Sequence, residues 1–182
     1  NNVMPPGGIL RRFLQPRVHM RFHHVREMSR TDVGRIARFA TNTTVGIALG
    51  GGGARGLAHI GAIRALREAQ IPIDVIVGTS IGSLVGAVAA QELTIEEMIA
   101  AAEHRLIRDR PFRDPALPLV SMIKGRRLTN GLREFFGDQT IEELPISYAA
   151  VATDLIKRDV AVISTGPVWR AVRSSASIPG LM

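Results

Sequence analysis

The sequence predicts a three-layer α/β domain, with a mostly parallel central sheet and helices on both faces. Two short apolar runs, Val45–Leu49 and Ile73–Val77, carry that prediction. Each ends in a glycine-containing turn that opens into a helix-like segment. A strand–helix–strand order of this length implies a right-handed parallel crossover. The third observation lies downstream, where Ser147–Thr153 and Val160–Ser164 alternate or run apolar and read as two further strands.

Asn1 to Gly8 reads as a linker end, because Pro5-Pro6-Gly7-Gly8 holds no regular element. Ile9 to Met28 is irregular and basic. Its histidines, His19, His23 and His24, have no carboxylate or cysteine at ligand spacing and read as surface residues. Ser29-Arg30-Thr31-Asp32 precedes Val33, Ile36, Ala37 and Ala40 at helical spacing, which predicts a short helix. Val45–Leu49 is a continuous apolar run of the kind buried on both faces of a parallel sheet. Leu57 to Ala69 repeats apolar residues at helical intervals, and Ile81 to Ala90 is a small-residue helix suited to lie close on the sheet.

Thr94-Ile95-Glu96-Glu97 is a capping box that starts a helix running to about Leu106. Asp109 to Lys124 carries Pro111, Pro115 and Pro118 and reads as a long covering loop. Arg126 to Phe136 is a helix with Leu128, Leu132, Phe135 and Phe136 inward, stopped by Gly137. Gly166-Pro167 starts a last helix through Val172. Ile71–Ala90 is apolar enough to suggest a membrane span, but Pro72, Asp74 and its glycines favour a strand, a turn and a buried helix.

Composition narrows the function classes. With 46% hydrophobic and 21% charged residues, the chain is ordinary globular material. It has no cysteine, which excludes disulfides and thiol zinc sites and fits a reducing, cytoplasmic compartment. The net charge of +7 is unevenly placed. The first 40 residues hold eight arginines against Glu27 and Asp32, and the remainder is nearly balanced. That divides the chain into a basic linker or connector, residues 1–42, and a domain, residues 43–182. A solvated linker explains the charge better than nucleic acid, because only Phe13, Phe22 and Phe39 lie among the arginines as stacking candidates. Anionic lipid is the other partner such a segment would attract.

Gly51-Gly52-Gly53-Ala54-Arg55-Gly56 matches the dinucleotide fingerprint G-x-G-x-x-G between a strand and a helix. That reading needs an acidic residue at the far end of the second strand. Asp74 stands at the near end, and Gly78-Thr79-Ser80 occupies the far one. Both turns therefore lie at the carboxyl ends of neighbouring strands, where open α/β sheets do chemistry. Gly78-Thr79-Ser80-Ile81-Gly82 is a G-x-S-x-G turn, with Ser80 as candidate nucleophile and Gly78 and Gly82 relieving the bend. Ser80 as a plain helix N-cap would look identical in sequence. The N–H groups of Gly51, Gly52 and Gly53 are candidates to hold an oxyanion, with Arg55 and Gly56 completing the loop. Spacing leaves the base unassigned among His59, His104, Asp74, Asp109 and Asp154.

These motifs, with Ser175-Ala176-Ser177-Ile178-Pro179-Gly180, Ala58-His59-Ile60-Gly61, Ile71-Pro72-Ile73-Asp74 and Asp154-Leu155, resemble the patatin-like phospholipases, nearest to bacterial relatives of neuropathy target esterase. The resemblance runs from about His23 to Met182. It implies a patatin-like fold, incomplete here at its C-terminus, and a Ser–Asp dyad without histidine. Ser80 then corresponds to the nucleophile and the glycine loop to the oxyanion hole. The family's aspartate sits in an Asp-Gly-Gly or Asp-Gly-Ala motif that this sequence does not contain, and is expected beyond Met182. The implied activity is hydrolysis of a phospholipid or lysophospholipid ester through an acyl-Ser80 intermediate, without metal or organic cofactor, with the acyl channel under Asp109–Lys124. The implied setting is the cytoplasm with peripheral membrane contact. A dinucleotide enzyme and a non-catalytic lipid-binding fragment are the two rival readings.

Overall fold

The computed structural model describes residues 23, 25–104 and 125–178. The expected α/β architecture is present: a four-stranded, mostly parallel sheet with six α-helices among the described residues. In chain order the elements are α1 (Arg30–Ala40), β1 (Gly46–Leu49), a 3-10 turn (Gly53–Leu57), α2 (Ala58–Glu68), β2 (Val75–Thr79), α3 (Ile81–Ala90), α4 (Ile95–Ala102), α5 (Arg126–Phe136), a second 3-10 turn (Ile141–Glu143), β3 (Ser147–Asp154), β4 (Asp159–Ile163) and α6 (Val168–Ala176). The strands lie in sequence order. β1, β2 and β3 are parallel, and β4 returns antiparallel beside β3. His19, His24, Asp109 and the covering loop Asp109–Lys124 lie outside the described residues, as do Pro179 and Gly180.

The core forms where α3 crosses the sheet. Ile76 of β2 and Ala150 of β3 are fully buried beneath it, with Leu49 and Tyr148 nearly so. Small residues permit this approach: a Cβ on Gly86 would lie 2.8 Å from the Ile76 side chain. α2 contributes Ile60 and Ile63, α4 Met98, α5 Leu128, Leu132 and Phe136, and α6 Val168, Ala171 and Val172 to the same core.

Three expectations are corrected. β1 is not buried on both faces: Gly46 and Ala48 are exposed, because β1 lies at the sheet edge. The second strand is displaced two residues towards the C-terminus of Ile73–Val77. Asp74 precedes it, with its N–H bonded to the Val45 carbonyl, and Thr79 closes it. The last helix runs past Val172 to Ala176.

α1 forms where the helical spacing predicts a helix, and the Ser29 side chain caps it by accepting from the Asp32 N–H. Its buried face is not the apolar one. Val33 and Ile36 are exposed, while Asp32 and Arg35 are buried. Ion pairs dock it instead. Asp32 accepts from Arg26 at 2.8 Å and from Arg35, whose guanidinium also reaches Glu92 at 2.6 Å and the Pro145 carbonyl at 2.7 Å. Arg38 grips the fully buried Asp74 through two hydrogen bonds of 2.8 and 2.6 Å. No described helix is long and apolar enough to cross a membrane.

Candidate active site

β2 delivers Ser80 directly into α3. The turn between them is one residue, Ser80 itself, at φ 54° and ψ −121°. A side chain at positive φ costs of order 1–3 kcal/mol and persists only where its surroundings enforce it. The glycines on either side allow the enforcement. A Cβ on Gly78 would strike the Gly82 carbonyl, and one on Gly82 would strike the Leu49 carbonyl and stand 2.6 Å from that of Gly50. The bend therefore presses the start of α3 against the ends of β1 and β2.

The same geometry separates the two readings of Ser80. It occupies the N-cap position of α3, yet its side chain makes no cap hydrogen bond. Ser83 does the local work, donating its hydroxyl to the Ser80 carbonyl at 2.6 Å. The Ser80 backbone N–H donates to the Ser175 hydroxyl at 2.8 Å, and Ser175 in turn donates to the Val151 carbonyl at 2.5 Å. Sequence reasoning gave Ser175 no role, although it opens the Ser-Ala-Ser-Ile-Pro-Gly segment.

The glycine loop faces this turn. A Cβ built on Gly51 would lie 3.6 Å from the Ser80 Cβ and 3.8 Å from the Thr79 carbonyl. A Cβ there would sit in ordinary contact with the serine, so glycine leaves open space beside Ser80. Gly52 follows, then Gly53 at φ 55°, and the chain winds through the 3-10 turn into α2. Gly56 packs so tightly on Ile81 that a Cβ would clash with that side chain, which ties the glycine loop to the start of α3. Arg55 is exposed, and its N–H is taken by the Gly52 carbonyl.

The other candidates fall elsewhere. His59 bonds the Gly50 carbonyl through Nε2 at 2.9 Å and braces the glycine loop. His104 lines a cavity behind α3. Asp74 is fully buried before β2, at the opposite end of that strand from Ser80. Burial pushes its carboxyl up, but the Arg38 guanidinium and the Val45 N–H outweigh this and hold it below the usual carboxylate range. Fully occupied by Arg38 and Val45, Asp74 has no place in a ribose-binding role. Asp154 accepts from the N–H groups of Ile156 and Lys157 and shapes the β3–β4 turn. Among the described residues no group of three or more His, Asp or Glu is arranged to hold a metal.

Behind α3 lies a cavity of about 400 Å³, lined mainly by apolar side chains of α2, α3, α4 and α5. Leu84, one helical turn from Ser80, is on its wall with Val85, Val88, Met98, Leu128 and Phe135. His104, Arg127, Asn130 and Glu134 add its polar groups.

Comparison with known proteins agrees with the resemblance. A family model for patatin-like phospholipases matches residues 47–182. The chain is 40% identical over 156 residues to "Neuropathy target esterase sws" of Drosophila grimshawi, covering 84% of this chain and 11% of that protein. It is 40% identical over 156 residues to the same-named protein of Drosophila persimilis, with the same coverage. For Drosophila melanogaster the identity is 38% over 156 residues, again 84% of this chain and 11% of the relative. The chain thus spans about a tenth of the length of these relatives. With the match running from β1 to the end of the chain, this polypeptide belongs to the patatin-like phospholipase family.

Proposed function

We propose that this chain supplies the nucleophile and oxyanion site of a serine-dependent lipid acyl hydrolase acting on phospholipid or lysophospholipid esters. The observation that carries the reading is the Ser80 turn: a serine at positive φ whose side chain is not spent on capping, with Gly51 of the glycine loop beside it. The apolar cavity one helical turn away has the size and lining for an acyl chain. The family's name and that of the relatives, an esterase, point the same way.

In the proposed reaction the Ser80 Oγ attacks the ester carbonyl carbon while its proton passes to a general base. The carbonyl oxygen becomes the oxyanion and is held by N–H groups of the Gly51–Gly53 loop. Collapse breaks the ester C–O bond and the alcohol leaves with a proton, leaving acyl-Ser80. Water activated by the same base then attacks the acyl carbon and releases the fatty acid, and Ser80 regains its proton. The resemblance to the family assigns the base to the aspartate of its Asp-Gly-Gly or Asp-Gly-Ala motif, while His59, Asp74 and Asp154 are engaged in other contacts. The setting that fits a lipid substrate is the cytoplasm with peripheral contact at a membrane.

A fluorophosphonate probe tests this. The intact protein should be labelled and should release fatty acid from lysophospholipid, and Ser80→Ala should lose both. Labelling that survives in a folded Ser80→Ala protein rejects the nucleophile.

A further inference from the structure

Ser80 is held at an unfavourable backbone conformation, and its surroundings must hold it there. Its carbonyl is fixed by the Ser83 hydroxyl and by the N–H groups of Ser83 and Leu84, at 2.6, 2.9 and 3.2 Å. Its N–H is fixed from outside the turn, by Ser175, 95 residues on. We propose that Ser175 is a positioning residue for the nucleophile: its hydroxyl replaces the missing rung of the sheet at the point where β2 turns into α3.

The register supports this. Thr79 pairs with Val151 in the parallel β2–β3 ladder. Continuation of that ladder would send the N–H of the next residue, Ser80, to the Val151 carbonyl. The turn carries Ser80 out of the strand, and the Ser175 Oγ stands between the two groups instead, accepting from Ser80 N–H and donating to Val151. A hydroxyl has one proton to give, and Val151 takes it at 2.5 Å, so the oxygen presents a lone pair to Ser80. The polarity of the bridge is fixed. It also keeps the Ser80 N–H from the reacting carbonyl, and leaves charge stabilisation to the glycine loop.

Ser175 is well placed for such a role. It is 9% exposed and lies in the last turn of α6, whose Val168, Ala171 and Val172 are buried. α6 is thereby a brace between β3 and the nucleophile turn. Ser175→Ala removes the acceptor and leaves both backbone groups of the rung unpaired, which frees Ser80 to relax and moves its Oγ off the attack geometry. A misplacement of about 1 Å at a reacting atom is enough for a rate loss of order 100-fold.

The inference rests on Ser80 being the nucleophile, and the experiment separates the two claims. In the intact protein, the second-order rate of fluorophosphonate labelling and the kcat and KM for a soluble short-chain ester are measured per folded molecule. Ser175→Ala should lower the labelling rate and kcat roughly 10- to 100-fold with KM within about twofold. Ser175→Thr keeps the hydroxyl and should recover to within about threefold of the parent rate. If the alanine protein does not fold, Ser175→Cys takes its place, since a thiol accepts weakly and should show the same loss. The parent rate in a folded Ser175→Ala or Ser175→Cys protein overturns the role of Ser175. A folded Ser175→Thr protein as slow as the alanine one overturns it equally. Labelling that persists in Ser80→Ala rejects the nucleophile instead.

Discussion

At the scale of single residues, the site depends on missing side chains. Gly82 lies where α3 crosses the end of β1, and its would-be Cβ meets backbone atoms of Leu49 and Gly50, which cannot rotate away. Gly82→Ala should therefore cost about 3 kcal/mol, the upper end for overpacking, and lower Tm by roughly 5–10 °C. Fluorophosphonate labelling of Ser80 should fall more than tenfold. Gly61 is the control: it is exposed on α2, with nothing within 4 Å of its would-be Cβ. Gly61→Ala should raise stability by about 0.5–1 kcal/mol and leave labelling unchanged. Equal effects at both positions, read by thermal melting and labelling, would contradict this account. The G-x-S-x-G pattern made the Ser80 turn legible in sequence, because glycine spacing reports backbone crowding. Whether Ser80 caps its helix depends on where one hydroxyl points, and spacing carries no such information.

At the scale of elements, type was legible and burial was less so. The Thr94 capping box is present, with Thr94 N–H donating to Glu97 at 2.7 Å and Glu97 N–H to Thr94 at 3.2 Å. The same tetrapeptide recurs as Thr140-Ile141-Glu142-Glu143 and forms a second box, yet only a single 3-10 turn follows, since Pro145 ends it. For α1 the periodicity located the helix, but its apolar residues do not mark its buried face. The partners of its charged residues are remote in sequence: Arg38 meets Asp74 after 36 residues and Arg35 meets Glu92 after 57. Pattern within one helix cannot report such contacts. Removing one partner of a buried pair is strongly destabilising. Asp74→Asn should cost on the order of 3 kcal/mol and loosen α1, read as faster amide exchange over Arg30–Ala40. Labelling at Ser80 per folded molecule should be unchanged, because Asp74 lies at the other end of β2. A loss of labelling in the folded variant would contradict the separation of anchor and site.

At the scale of the whole molecule, the basic N-terminal charge is partly internal. Of the eight arginines in the first 40 residues, Arg26, Arg35 and Arg38 are consumed by Asp32, Glu92 and Asp74. Net charge therefore overstates what the segment offers to an external anion. These pairs also set the response to acid. The Arg26 guanidinium, working against burial, holds the Asp32 carboxyl well below the ordinary range, and Asp74 is held low by Arg38 and Val45 against burial. Both carboxyls are depressed on folding from an ordinary value of 3.8, so their stabilisation is complete above about pH 4. Below that the unfolded chain binds protons that the folded one does not, and stability falls by at most about 1.4 kcal/mol per pH unit for each group. Tm should be flat in this respect from pH 7 to 5 and drop steeply below pH 4. A protein carrying both Asp32→Asn and Asp74→Asn should start lower at pH 7 but lose less between pH 4 and 3, by up to about 2 kcal/mol. Denaturant midpoints across that interval measure the difference. Parallel curves for the parent and the double variant would show that these two pairs do not set the acid limit.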